Sequence, residues 1–419
     1  MIEYIKRIDT FNKNIILVLL GTSLANVLAL LYQLLIAHSL SSVDFAGFNS
    51  LLAIFTMISS PLTTIQTAVV KYTADFNAHG QIEKVKSLLF NLFKIILPFA
   101  AITLVVSCLF SPCITDKLKI SSVYSGYNLA ALLALSWISP VFAGALQGLE
   151  LFKWLVAVSL LTGVAKLVFT FVFIKLGLNI SGALAGLLLS VLIGIIISIG
   201  PLKNFLSLRR IEAAVDLKGF FWYLAPVAVS LFCFMSLVNF DMVLVKYLFS
   251  PYEGGLYSLA QMVGKIFLFL PSAISIVMFP MTAGLSAKNM DTGAALRRSL
   301  LYGLLLCVIA NVVYNLFPSF VLEVLTGKVF GESVKLGRLF GISMSFFTLL
   351  LILINYFLSV KDLRFIKFLI ISAILQPLAI ILLHNNLMSV QIILCANSAL
   401  LLFINLFLVR RKVLTRAFI

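Results

Sequence analysis

Apolar runs of about 20 residues recur along this chain almost without pause. That length lets an α-helix cross a hydrocarbon core of about 30 Å at about 1.5 Å per residue. The runs centre near Val27, Thr56, Phe99, Trp137, Ala165, Leu189, Phe234, Leu268, Leu306, Phe347, Ala373 and Ala399, which predicts about twelve spans. Strands of a membrane barrel would alternate polar and apolar residues over about ten positions, and these runs do not. Of 419 residues, 62% are hydrophobic and 11% charged, against about 45–50% and about 25% in a soluble domain. The expected class is an all-α polytopic membrane protein with almost no soluble portion. The first run is too long for the apolar core of a signal peptide and is read as a retained span.

Several chemistries lack their residues. The five cysteines, Cys108, Cys113, Cys233, Cys307 and Cys395, form no C-x-x-C pair, so they read as small apolar core residues. His38, His79 and His384 are far apart and make no H-E-x-x-H site. No phosphate-binding glycine loop stands between a strand and a helix. No metal and no cofactor is expected.

The net charge of +16 would suggest nucleic acid in a soluble protein. In a membrane protein it reports topology, because Lys and Arg accumulate in cytoplasmic loops. With the N-terminus inside, cytoplasmic segments hold 21 Lys and Arg and external segments 6. Both termini are therefore expected in the cytoplasm of a cell (plasma or inner) membrane. The basic face should attract anionic membrane lipids, and no nucleic acid is expected. Lys94, Lys166, Lys265 and Arg338 remain within or at the edge of spans.

The chain also repeats itself. LIAHSLSSVDFAGFNSLLAI from Leu35 matches LVKYLFSPYEGGLYSLAQMV from Leu244, Ser41 and Asp44 aligning with Ser250 and Glu253. After a one-residue gap Gly47, Ser50 and Leu51 align with Gly255, Ser258 and Leu259, and Pro61 and Pro271 each fall in the following span. Six spans separate the copies, so they share orientation, as parallel repeats of transporters do. The expectation is two six-helix lobes, 1–205 and 206–419, joined through the polar segment 201–219, with Pro61 and Pro271 as hinges.

FDMVLVKYLFSPYEGGLYSLAQMVGKIFLFLPSAISIVMFPMTAGLSAK resembles the seventh and eighth helices of polysaccharide-biosynthesis membrane proteins. There an Asp near the end of helix seven precedes an acidic-x-Gly-x-Tyr turn and a later Phe-Pro, here Asp241, Glu253, Gly255, Tyr257, Phe279 and Pro280. LLIAHSLSSVDFAGFNSLL and TAVVKYTADF are similar to the matching N-terminal block. The resemblance implies a lipid-linked oligosaccharide flippase, related to the MATE exporters of the multidrug/oligosaccharidyl-lipid/polysaccharide superfamily, with a MATE-like fold. Many members have fourteen spans, and this chain is shorter.

Charges inside spans cost about 2.5–3.5 kcal/mol each even on lenient scales and usually face a cavity or a partner. By helical rise Lys166 lies roughly 18 Å deep, Lys265 roughly 16 Å and Asp241 roughly 9 Å. Lys166 and Lys265, with Lys94 nearer the inner surface, are expected to bind the anionic part of a substrate. Lys246 is expected at a helix end and Arg338 at an interface. Asp241 is five residues from Lys246, a rotation of about 140° around the helix, so a partner from another helix is expected. Lys265 leads; a protonated Asp241 or one that holds a coupling cation stays open.

Three functions follow. A flippase would move a polyprenyl-pyrophosphate-linked, anionic glycan from the inner to the outer leaflet by alternating access, its pyrophosphate held by the deep lysines through charge-assisted hydrogen bonds. Asn26, Gln66, Asn239, Gln261, Asn311 and Gln376 are polar residues available to sugar hydroxyls or to helix contacts. A MATE-type cation-coupled drug exporter would instead need an acidic cavity. A polymerase or ligase of polysaccharide assembly would need a catalytic external loop, and the longest, about 317–334, offers only Glu323 and Glu332.

Overall fold

The computed structural model describes residues 2–206, 217–269, 272–288 and 290–416. The elements in chain order are α1 (Ile2–Ser39), α2 (Ser42–Ser59), a 3-10 turn (Ser60–Leu62), α3 (Thr63–Ala78), α4 (Ile82–Lys117), α5 (Tyr124–Gly148), α6 (Phe152–Lys175) and α7 (Asn179–Leu202). There follow α8 (Leu217–Leu248), α9 (Pro251–Phe269), α10 (Ser272–Ala287), α11 (Gly293–Leu316), α12 (Pro318–Thr326), α13 (Gly331–Ser359), α14 (Ile366–Leu382) and α15 (Leu387–Arg416). No strand occurs among the described residues. Lipid offers no water to backbone N–H and C=O groups, so a chain this apolar satisfies them within helices.

Ten helices, α2 and α3 counted as one interrupted helix, are long and apolar enough to cross a membrane. With the shorter apolar α14, that makes eleven apolar helices among the described residues, beside the about twelve spans expected. The protein is an all-α, multi-pass membrane protein. Its exposed surface is itself apolar: on α4, Phe99, Ile102, Val105 and Leu109 are all more than half exposed. Water would not tolerate such a face, and acyl chains do.

Two compact units divide the chain: Met1–Leu40 with Ile58–Ala228, and Ser41–Met57 with Val229–Ile419. Compactness thus places the first part of α2 with the second unit, whereas the lobes expected from the repeat divide at 205/206. In the first unit α5 packs on α3, α4 and α7, and α6 packs on α1 and α7. In the second unit α13 packs on α9, α10, α11 and α15.

The two repeat copies build the same local device. Ser41 Oγ donates to Asp44 Oδ2 at 2.8 Å and accepts from the Asp44 backbone N–H at 3.1 Å. Ser250 Oγ donates to Glu253 Oε2 at 2.7 Å and accepts from the Glu253 N–H at 3.3 Å. Both are capping arrangements that satisfy N–H groups left over at a helix start. The copies also touch within the second unit, where Asn49 Nδ2 donates to Ser258 Oγ at 2.8 Å. A Cβ on Gly255 would sit 3.1 Å from the Ser42 carbonyl carbon, so the glycine permits that approach.

Pro61 lies in the 3-10 turn that interrupts α2 and α3. Its counterpart Pro271 lies outside the described residues, as does most of the polar segment 201–219. The expected external loop at 317–334 is largely helical, since α12 occupies Pro318–Thr326 and stops at Gly327 in the left-handed conformation (φ 67°).

Candidate functional site

The first unit contains a cavity of 320 Å³ among α1, α5, α6 and α7. Helical periodicity sets its walls. Ser159, Thr162 and Lys166 of α6 stand at i, i+3 and i+7, and Ser190, Gly194 and Ser198 of α7 at i, i+4 and i+8, each trio on one face. Ser139, Phe142 and Leu146 line it from α5. The two helices come close because α7 is small where they meet. A Cβ on Gly194 would lie 2.7 Å from Thr162 Cγ2, and one on Gly186 would lie 2.7 Å from the Thr170 backbone nitrogen. Small residues at such contacts are how helices associate in lipid.

Lys166 is the one charged residue lining this cavity among those described. Its Nζ stands 4.5 Å from the centroid of the Tyr32 ring. Tyr32 is 3% exposed and its hydroxyl donates to the Ala183 carbonyl at 3.2 Å. The ring's negative face stabilises an ammonium and fixes where it points. Lys94, by contrast, is exposed on α4 and does not line the cavity.

The second unit holds a buried polar chain across three helices. Asp241 of α8 is fully buried. The Tyr257 hydroxyl donates to its Oδ2 at 2.7 Å, and Gln261 Nε2 donates to Oδ2 at 3.2 Å and Oδ1 at 3.4 Å. Gln391 of α15 donates from Nε2 to the Tyr257 hydroxyl at 2.9 Å. The Tyr257 ring meets Phe340 edge to face, centroids 5.0 Å apart. The Oε1 atoms of Gln261 and Gln391 are buried without a hydrogen-bond partner. Nearby, Asn397 donates to Gln376 Oε1 at 2.7 Å and Gln376 donates to the Leu237 carbonyl at 2.8 Å, which ties α15 and α14 to α8 one turn before Asp241.

The direct hydrogen-bond partners of Asp241 are thus Tyr257 and Gln261, not Lys265. Tyr257, Gln261 and Lys265 follow one another at i, i+4 and i+8 on α9, and Asp241 meets the first two of the three. Lys265 is close enough for Coulombic attraction to the carboxylate, but no described ion pair within 4.0 Å joins them. A carboxylate shallower than the lysine reaches the nearer turns of α9 first.

Other expected positions resolve as follows. Lys246 does end α8, yet it is 1% exposed, with Nζ 3.5 Å from the Val43 carbonyl. Asn239 and Asn311 bond the carbonyls of Met235 and Cys307 one turn back on their own helices. Gln66 donates to Gln147 at 3.4 Å. Asn26 and Arg338 are exposed. The residues that the sequence did not single out are Gln391 and the cavity hydroxyls Ser139, Ser159, Thr162, Ser190 and Ser198. The Ser-x3-Gly-x3-Ser stripe from Ser190 to Ser198 was the one local signal for the latter.

Comparison with solved structures finds this fold repeatedly. An inward-facing multidrug resistance MATE family transporter of the MOP superfamily aligns with a TM-score of 0.76 at 13% identity, covering 93% of this chain and 95% of that one. The lipid II flippase MurJ, in an inward closed conformation, aligns at 0.69 and 14% identity over 94% and 87%. The MATE multidrug transporter DinF-BH aligns at 0.65 and 16% over 94% of both chains. No curated protein matches in sequence. At these identities the likeness establishes the fold, which is MATE-like. A protein-family model described as Polysaccharide biosynthesis protein matches residues 11–286. The chain, through most of its first two thirds and the block that carries Asp241 and Tyr257, belongs to the polysaccharide biosynthesis protein family.

Proposed function

We propose that this protein is a flippase that moves a polyprenyl-pyrophosphate-linked oligosaccharide from the inner to the outer leaflet of the plasma membrane by alternating access. The observation that carries the reading is the sign of the cavity in the first unit: among the described residues its one charged lining residue is a lysine, and no carboxylate lines it. An anionic lipid-linked glycan suits such a wall, and a cationic drug does not. The family membership and the flippase among the structural neighbours support the same substrate class.

In this reading Lys166 and Lys265 bind the anionic part of the substrate, with Lys94 as an outlying contact near the inner surface. Asp241, held by Tyr257 and Gln261, is the position for a coupling cation. Rocking of the two six-span lobes opens the site alternately to each side, and the Lys and Arg bias supports both termini in the cytoplasm, against anionic lipid headgroups. The protein acts as a transporter rather than an enzyme.

The test is reconstitution into proteoliposomes with a fluorescent polyprenyl-pyrophosphate glycan, scoring its appearance in the opposite leaflet, beside efflux of a cationic dye. Glycan translocation without dye efflux is expected. Dye efflux without glycan translocation would establish the exporter instead, and sugar transfer between lipid-linked substrates would establish an enzyme.

A further inference from the structure

The cavity of the first unit is more selective than its one lysine suggests, because of where its hydroxyl hydrogens go. Ser159 donates to the Leu155 carbonyl at 2.9 Å, Thr162 to Val158 at 2.8 Å, Ser190 to Leu187 at 2.7 Å and Ser198 to Gly194 at 2.7 Å. A hydroxyl has one hydrogen and two lone pairs. With the hydrogen spent on its own helix, each of the four presents only acceptor capacity to the cavity. Ser139 is the lining hydroxyl with no protein hydrogen bond among the described residues. The donors available to a ligand are therefore Ser139 and the Lys166 ammonium, both among a majority of acceptors.

Such a wall is unsuited to a bare pyrophosphate. Pyrophosphate offers only acceptor oxygens and several negative charges, and it would face lone pairs from four hydroxyls with a single cation in compensation. A sugar ring has the opposite balance, since its hydroxyls donate to lone pairs. One anionic substituent on that ring would complete the match at Lys166. From Ser159 to Lys166 the polar ladder of α6 runs roughly 10 Å along the helix, and Phe142 and Leu187 give apolar surface for the ring's C–H faces.

Size agrees. A volume of 320 Å³ sits at the low end of small-molecule pockets, about 300–1,000 Å³. It accommodates one substituted ring.

We propose that this cavity is a subsite for a single hydroxylated sugar ring bearing one anionic group, read by the Ser159, Thr162, Ser190 and Ser198 acceptors and by Lys166. The assignment rests on the flippase reading for its biological sense. The anionic ring is either the first sugar of the lipid-linked glycan with its phosphate or an acidic sugar within the chain.

The experiment uses the full chain in lipid nanodiscs and ligand-observed NMR titration. The probes are glucose, galactose and N-acetylglucosamine 1-phosphates, glucuronate, the neutral parent sugars, and inorganic pyrophosphate. At least one anionic sugar is expected to bind about tenfold more tightly than both its neutral parent and pyrophosphate, the scale of one charge-assisted contact. Preference for a sugar phosphate identifies the first sugar, and preference for glucuronate an acidic sugar. Lys166→Gln should bring the anionic sugar down to its neutral parent. Thr162→Val and Ser190→Ala should each weaken it about fivefold, and the small Ser190→Ala change guards against misfolding.

Pyrophosphate binding as tightly as the sugars would overturn the proposal, as would binding by none of the probes or binding that ignores all three substitutions. Glycan translocation measured in the same preparations keeps the two readings apart. Translocation without cavity binding refutes this subsite and leaves the flippase standing, whereas its absence in the unmodified chain refutes the flippase.

Discussion

Tyr257→Phe isolates the polar chain of the second unit, because it deletes one oxygen and keeps the ring that packs on Phe340. That oxygen does two jobs: it donates to Asp241 at 2.7 Å and accepts from Gln391 at 2.9 Å. In water-soluble proteins a hydrogen bond to a charged group contributes about 1.5–3 kcal/mol, and an orphaned buried donor costs about 1–3 kcal/mol. Between membrane helices the measured contributions are smaller, about 0.6 kcal/mol on average and about 1.7 at most, because helices unfolded within lipid find other partners. Two such bonds give roughly 1–3.5 kcal/mol for Tyr257→Phe.

Gln391→Leu removes only the second bond and leaves the tyrosine donating to Asp241, so about 0.6 kcal/mol is expected. In the double variant the orphaned Gln391 amide is gone. The double should therefore cost less than the sum, by at least about 0.6 kcal/mol. Reversible unfolding in mixed micelles, followed by far-UV circular dichroism, measures all four corners of the cycle. A Gln391→Leu cost equal to that of Tyr257→Phe, or additivity within about 0.3 kcal/mol, would refute the shared-oxygen account.

Lys166→Ala and Lys265→Ala are each expected to reduce glycan export in cells while membrane insertion persists, with Lys→Arg retaining more activity because charge is kept while geometry changes; full export by the double alanine variant would remove the cationic reading. Asp241→Asn with Lys265→Gln should be non-additive in folded yield, but with coupling well below the ~4 kcal/mol that charges 4 Å apart would show at an effective dielectric of about 20; strict additivity would mean the two do not feel one another. Gly186→Val pushes side-chain atoms onto the Thr170 backbone and should destabilise the first unit by about 1–3 kcal/mol, seen as a lower melting temperature in detergent; an unchanged melting temperature would contradict the α6–α7 contact. Ser250→Ala should cost about 1 kcal/mol through the lost cap of α9, and Ser41→Ala a similar amount at α2, both read by thermal unfolding.

Hydropathy along the chain was enough to give helix, the membrane and repeated crossings, because the bilayer imposes a length and a closed backbone on any segment that spans it. The Ser-x-x-acidic spacing at Ser41 and Ser250 was legible as a repeat, and the structure shows that both copies are caps, made within four residues. The partners inside the bundle were not. A helix that is apolar all round carries no stripe marking its inner face, and lipid accepts each apolar side alike. Nothing near Tyr257 in the sequence announces Gln391, 134 residues away. Ser159, Thr162 and Lys166 became a cavity wall only when α7 brought Ser190 and Ser198 opposite them. Lys246, legible as a helix end, turned out buried because α8 ends beneath the backbone of Val43. Asp241 stood out as a costly charge in a greasy span, but its satisfaction by a tyrosine and a glutamine required α9 to be laid alongside α8 at one depth, a matter of packing that local composition does not encode.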